Sequence, residues 1–226
     1  MAITKISGVL WANLAKVGGI AKASITNIGG ASAGPPIQDA TLSATKYAVY
    51  TAGNPSWTAA VNAISSIYSS TFNLAADASA VRSRTGTNYF NTRTNVQFDL
   101  SSYSAYTILS ATLKLNVTSI TTSARPNQIY VLDLGGSTFS YPTPTDSDYS
   151  LVYQQGNLDE YATDSIDNTG EYELGFSSAA ITTANTYPSI YSMAILTYQD
   201  RNDTAPTLNT SYSVYFNTPL LAITYQ

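Results

Sequence analysis

Polar and apolar residues alternate most strictly between Leu109 and Val117, where Leu109, Ala111, Leu113, Leu115 and Val117 are separated by Ser110, Thr112, Lys114 and Asn116. A period of two is the signature of a strand with one buried face. The same alternation runs through Thr94 to Leu100, with Val96, Phe98 and Leu100 facing one way and Asn95, Gln97 and Asp99 the other. Further strands are expected at Gln128 to Leu134, Glu171 to Phe176, Ser192 to Tyr198, Ser211 to Phe216 and Leu220 to Tyr225. Clusters of Ser, Thr, Asn, Gly and Pro punctuate them. Apolar spacing of three to four appears at Trp57, Val61 and Ile64, behind Ser56 as a capping residue, and predicts one short helix with Trp57 turned into the core. Many short strands with turn-forming punctuation predict an all-β sandwich or barrel with at most one short helix.

The first thirty residues follow a different rule. Three copies of one unit repeat in register: ITKISGVLWAN from Ile3, LAKVGGIAKAS from Leu14 and ITNIGGASAGP from Ile25. Ile3, Leu14 and Ile25 open the copies; Ile6, Val17 and Ile28 follow three places on; Gly8, Gly19 and Gly30 recur behind a small residue. A right-handed helical coil also has an 11-residue period. Glycine at the same point of every copy, within Ser-Gly and Gly-Gly pairs, favours strand-turn-strand units. The third copy has lost its lysine and its final aliphatic residue, so two full modules and a terminator are expected. A unit this small cannot bury its own apolar face and needs a neighbour. Residues 31–38 (Ala-Ser-Ala-Gly-Pro-Pro-Ile-Gln) read as a linker, stiffened by Pro35 and Pro36. The expected organisation is a docking arm over 1–30, a linker over 31–38 and a β domain over 39–226.

Composition narrows the chemistry. Of 226 residues, 44% are hydrophobic, which suffices for a core, but only 11% are charged, well under the roughly 25% of ordinary domains. Eighteen tyrosines supply amphipathic surface instead. There is no Cys and no His, so thiolate zinc sites, disulfides and every Ser-His or Cys-His nucleophile are excluded. The net charge of −4 argues against nucleic acid as a partner. That charge is unevenly spread. Lys5, Lys16 and Lys22 lie ahead of the first acid, Asp39, whereas Asp146, Asp148, Asp159, Glu160, Asp164, Asp167, Glu171 and Glu173 form a stretch without a base. The N-terminal apolar run is broken by Lys5, Asn13, Lys16 and Lys22, unlike a secretory h-region, and no run approaches the ~20 apolar residues of a membrane span.

The acidic stretch lacks an Asp-x-Asp-x-Asp-Gly calcium loop and reads as solvated loops, so no metal and no cofactor are expected. Asp159-Glu160 is the candidate for a glycosidase carboxylate, but that chemistry needs two carboxyls about 5 Å or about 6.5–9.5 Å apart across a cleft, and a hydrolase is the third reading. Gly18-Gly19 and Gly29-Gly30 lack the Gly-Lys-Ser/Thr ending of a phosphate loop. Tyr141, Tyr149, Tyr153 and Tyr161 are the candidates for stacking on a sugar. In the arm, Ile3, Lys5, Ile6, Val9, Trp11, Leu14, Lys16, Val17, Ile20, Lys22, Ile25 and Ile28 are the candidate docking and oligomerisation residues, with Trp11 as the anchor.

The segments WTAAVNA from Trp57, NVQFDLS from Asn95, ILSATLKL from Ile108, EYEL from Glu171, DTAP from Asp203 and PLLAITY from Pro219 occur in an order and spacing that resemble the DNRLRE-like jelly-roll domains, relatives of the carbohydrate-binding-module sandwiches. The likeness runs from Tyr47 to Gln226, about four-fifths of the chain. The arm's Lys5-Ile-Ser-Gly-Val and Lys16-Val-Gly-Gly-Ile resemble the Lys-Ile-x-Gly-Val modules that open many phage structural proteins; Asn27-Ile-Gly-Gly-Ala departs from them. Together the resemblances imply a non-enzymatic virion appendage displayed on the virion surface: a head fibre or capsid decoration, docked on the major capsid or another virion protein, and a homo-oligomer with a trimer preferred. The alternative is a carbohydrate-binding adhesin, on a tail fibre or secreted, that meets a host-surface glycan. Neither reading involves nucleic acid or membrane insertion.

Overall fold

The computed structural model describes residues 35–62, 67–70, 74–84, 86–141, 145–149 and 160–226, with 67–70, 83 and 146–147 given by backbone alone, together with the backbone of residues 5–6, 9–10, 16–17, 20–21, 27–28 and 31–32. In the arm these are six short strands: β1 (Lys5–Ile6), β2 (Val9–Leu10), β3 (Lys16–Val17), β4 (Ile20–Ala21), β5 (Asn27–Ile28) and β6 (Ala31–Ser32). The body contains β7 (Gln38–Ser43), β8 (Lys46–Asn54), α1 (Trp57–Val61), β9 (Ile67–Ser70), β10 (Ala75–Ser83), β11 (Gly86–Phe98), β12 (Ile108–Thr122), β13 (Gln128–Gly135), α2 (Asp146–Tyr149), β14 (Glu160–Ser165), β15 (Gly170–Gly175), α3 (Ser178–Thr186), β16 (Tyr191–Thr197), α4 (Tyr198–Arg201), β17 (Thr210–Phe216) and β18 (Leu220–Tyr225).

The body is an all-β sandwich, and its pairings spell out a jelly roll. One sheet has the order β7-β18-β12-β15 and the other β11-β16-β13-β14, every pair antiparallel. In chain order these eight strands pair first with last and second with seventh, the pattern of a long hairpin rolled up on itself. β8 and β9 extend the second sheet beyond β11. The pair β10–β17 links the two sheets: β10 takes over the N-terminal half of β11 where β16 leaves it, and β17 takes over the C-terminal half of β12 beyond β18. Both long strands therefore change neighbours halfway along. β12 does so at a register shift between Val117 and Ser119, which lets one strand serve both sheets.

The core lies between the layers, with Val96, Phe98, Leu113, Leu115, Ile129, Val131, Met193, Ile195, Val214, Leu221 and Ile223 all buried. One expectation is corrected on β12. Leu109 is 39% exposed, because a second register shift between Ile108 and Ser110 turns Ile108 inward in its place. The helix count is also corrected. Beyond α1, the helices α2, α3 and α4 exceed the single short helix expected. α1 forms over Trp57–Val61, but Trp57 is buried in a small cluster with Val61, Ala78 and Tyr89 rather than in the main core between the layers, and the Ser56 side chain makes no capping bond. Ile64 lies outside the described residues.

The expected polar face of β11 is not solvated. Asn91, Arg93, Asn95 and Gln97, which alternate with the core positions, are all buried. Their outer side is roofed by α1, α2, α4 and the segment around Phe139, whose ring joins Tyr149 on Ala48, Tyr50 and Ala52 of β8.

The tyrosines are correspondingly internal. Burial pushes the phenols of Tyr50, Tyr149, Tyr161, Tyr191 and Tyr212 well above their ordinary range; the Asp148 carboxylate adds to this at Tyr50. A group whose folded pKa is raised stabilises the fold below its unfolded value, here 10.0, and loses that contribution as pH rises beyond it. In an absorbance titration of tyrosinate, these five of the 18 tyrosines are expected to stay protonated until a cooperative alkaline unfolding above about pH 10. Smooth ionisation of all 18 before the far-UV signal changes would contradict the burial.

Candidate functional site

The arm places its repeat in three separate two-stranded sheets, β1–β2, β3–β4 and β5–β6. Each has the same register. The inner pairs are Ile6–Val9, Val17–Ile20 and Ile28–Ala31, and the outer pairs Lys5–Leu10, Lys16–Ala21 and Asn27–Ser32. The backbone shows the strand pairs of the strand-turn-strand reading, and the residues between the strands of each pair lie outside the described residues. The third copy keeps the pairing of the first two despite its changed residues, and it takes in Ala31 and Ser32 from the segment read as linker. An inner apolar pair and an outer pair led by Lys, Lys and Asn recur in all three copies. Two-residue strands are far below the size that is stable alone in water. Of the candidate docking residues, Lys5, Ile6, Val9, Lys16, Val17, Ile20 and Ile28 fall on these strands. Ile3, Trp11, Leu14, Lys22 and Ile25 lie outside the described residues.

The body takes up the chain at Gln38, at the start of β7. Here Tyr103 and Tyr106 each pack edge-on against Tyr225, with ring centroids 4.9 and 5.1 Å apart. The Tyr225 hydroxyl donates to Gln38 Oε1 at 3.0 Å, and Thr107 and Gln226 exchange backbone bonds. Gln38, where the chain enters the sandwich, is therefore held by strand pairing and by the hydroxyl of a tyrosine that itself sits in an aromatic cluster. Tyr106 and Ile37 remain exposed beside it.

The sugar-stacking candidates do not share a surface. Tyr149 and Tyr161 are 0% and 1% exposed, which corrects their assignment as glycan contacts: a ring sealed in the interior cannot stack on a ligand. Tyr149 donates its hydroxyl to the Ala60 carbonyl, and Tyr161 stacks on Tyr191 at 5.6 Å. Tyr141 is exposed, edge-on to Tyr47, and Tyr153 lies outside the described residues.

The acidic stretch is dispersed. Asp148 is buried and accepts from the backbone N–H groups of Ser140 and Thr145 and from the Thr145 hydroxyl. Asp167 pairs with Arg125 at 3.3 Å, and Glu173 with Lys114 at 2.7 Å. Among the described residues no three acidic groups converge as a metal site would require. Asp159 lies outside them.

The strongest electrostatic feature went unseen in the sequence. Arg93 on β11 and Asp200 on α4 are both fully buried and joined twice, Nε to Oδ2 at 2.6 Å and Nη2 to Oδ1 at 2.7 Å. Arg93 also donates to the carbonyls of Tyr149 and Val61, with its guanidinium 4.0 Å above the Tyr149 ring. It ties three covering helices to one strand, which makes it an organiser of the fold.

On the opposite side, the outer face of β12 and β15 stays open. A groove of about 350 Å³ there is lined by Lys114, Asn116, Glu171, Glu173, Asn217 and Thr218, a mixture of charge and amide that offers both donors and acceptors. No protein-family model matches the chain, and no curated protein matches it in sequence.

Proposed function

We propose that this is a non-enzymatic structural protein of a virus particle, a phage head fibre or capsid-decorating protein. Its arm docks on the major capsid protein or another virion protein, and its sandwich is displayed on the virion surface. The observation that carries the reading is the arm: three strand pairs in one register at an 11-residue period, each too small to stand alone, joined to a body with its own core. Burial of the aliphatic pairs in a partner, or in the arms of neighbouring copies, stabilises attachment by roughly 25 cal/mol per Å² of apolar surface removed from water. The arm's lysines favour an acidic acceptor. Several copies, in the preferred trimer, add avidity for any weak surface ligand.

Removal of residues 1–34 tests this. The truncated chain is expected to keep its far-UV spectrum and cooperative melting while its copy number on assembled particles, read by quantitative mass spectrometry, falls at least tenfold. Undiminished incorporation would sink the docking role.

The open groove supports a second reading, a carbohydrate-binding adhesin domain. Lys114, Asn116, Glu171 and Asn217 present the donors and acceptors that sugar hydroxyls need. A glycan array probed with the full chain decides it, and uniformly blank wells would remove this reading.

A further inference from the structure

The β10–β17 pair that bridges the sheets carries a shallow groove of about 450 Å³ on its outer side, with Asp77, Ser79, Val81, Ser213 and Tyr215 in its walls. β10 alternates strictly. Ala76, Ala78 and Ala80 are buried, and Asp77, Ser79 and Val81 occupy the other face. Register sets Asp77 opposite Ser213 on β17 and opposite Thr92 on β11. The Ser213 hydroxyl donates to one carboxylate oxygen of Asp77 and the Ser79 hydroxyl to the other, the latter at 3.3 Å.

Among the described residues, the groups around this carboxylate are neutral. Thr92, Ser79, Ser211 and Ser213 carry no charge, and the titratable neighbour among them is the Tyr215 phenol, which burial and the Asp77 charge both raise. The ion pairs among the described residues belong to other carboxylates. Asp77 is nevertheless crowded by protein, and its desolvation outweighs the two hydroxyl bonds and pushes its pKa up to about 6. The same chain shows how it treats a carboxylate buried for structure: Asp200 is matched twice by Arg93. Asp77 is half-buried, without a counter-charge among the described residues, on a face open to solvent through Tyr215 (40% exposed) and Val81 (51% exposed).

We infer that this groove binds an organic cation, an ammonium or guanidinium group on an alkyl stem such as a lysine or arginine side chain. The charge is met by Asp77, the N–H groups by the oxygens of Asp77, Ser79 and Ser213, and the stem by Val81 and the Tyr215 ring. A lone carboxylate with neutral hydroxyls falls short of the charge and oxygen count of a divalent-cation site. A neutral ligand would leave the carboxylate unmatched.

The full chain should be titrated by two-dimensional NMR with N-acetyl-lysine methylamide, using the uncharged norleucine analogue as control. Binding of the lysine probe is expected at pH 7.5 and not of the norleucine probe. Affinity should drop about tenfold at pH 5, where roughly one tenth of a carboxyl titrating near 6 is ionised. It should drop at least tenfold in Asp77→Asn. The same substitution should raise the melting temperature at pH 7.5 and leave it unchanged at pH 4. The sign follows from the raised carboxyl: its contribution to stability is full below the unfolded value of 3.8 and is lost as pH rises through about 6, a loss the amide does not suffer. No lysine binding, equal binding by Asp77→Asn, or a lowered melting temperature of that variant at pH 7.5 would each overturn the inference. A synthetic peptide of residues 1–34 distinguishes the source. Asp77-dependent binding of that peptide assigns the cation to the arm of a neighbouring copy, and binding of the small amine alone assigns it to a foreign partner.

Discussion

Asp200→Asn is expected to destabilise the protein by about 3–5 kcal/mol, because it leaves Arg93 charged and buried without its counter-ion. The two carboxylate oxygens accept from Nε and Nη2; the amide keeps one acceptor and turns an N–H group toward the other donor. The consequences spread because Arg93 does not act alone. Its remaining donors hold the carbonyls that end α1 and α2, so a shifted guanidinium loosens Val61 and Tyr149 together. Chemical denaturation is the direct measurement, and a cost of under about 1 kcal/mol would show that the pair is not the clamp the geometry makes it. The double replacement Arg93→Met with Asp200→Leu is expected to cost much less than the sum of the single changes. It removes both charges, and well-packed apolar residues often replace a buried pair at little loss. That non-additivity distinguishes a charge effect from simple damage to packing.

This clamp shows where reading the sequence stops. Arg93 and Asp200 are 107 residues apart, and nothing local to either announces the other. The run Asn91-Thr-Arg-Thr-Asn95 is wholly polar, a composition that ordinarily belongs to a solvated surface. It is buried because a second layer covers that sheet, and the cover comes from distant parts of the chain. The same cover hides Tyr149. Tyr161 is hidden by the core itself. A tyrosine in a loop-rich stretch therefore looked like surface and proved to be interior. α3 escaped notice for a different reason. Its Ser178–Thr186 sequence is rich in β-branched threonine and buries only Ala180 and Ala184, one turn apart, so its amphipathic pattern is faint. Its start is marked mainly by Ser177, whose hydroxyl accepts from the Ala180 N–H. Strands with one buried and one open face were legible, as were the arm's repeats, because both are written in local periodicity. Asp77 carried no such mark: an aspartate between alanines on an outward position reads as ordinary surface until the register sets it between two serines.

Leu113→Ala is expected to cost about 2–5 kcal/mol, and the same truncation at Leu109, four residues earlier on the same strand, under about 1 kcal/mol. Leu113 stands where β12 is flanked on both edges, paired with Leu174 of β15 and Leu221 of β18, and the three are 0–2% exposed. A row of three leucines across adjacent strands forms one continuous part of the core floor. Emptying its centre removes contacts from both neighbours, and neither flanking strand is free to close the gap. Leu109 is also a leucine in β12, and by simple alternation belongs to the same buried set. The register shift between Ile108 and Ser110 moves it to the solvent side, so its truncation forfeits little burial. The contrast between the two variants tests the bulge more sharply than either alone. Equal costs would mean that the alternation continues unbroken to the strand's start and that Ile108, not Leu109, faces out. A large cost at Leu113 alone fixes the register on which the first sheet, and with it the open groove beside Lys114, depends.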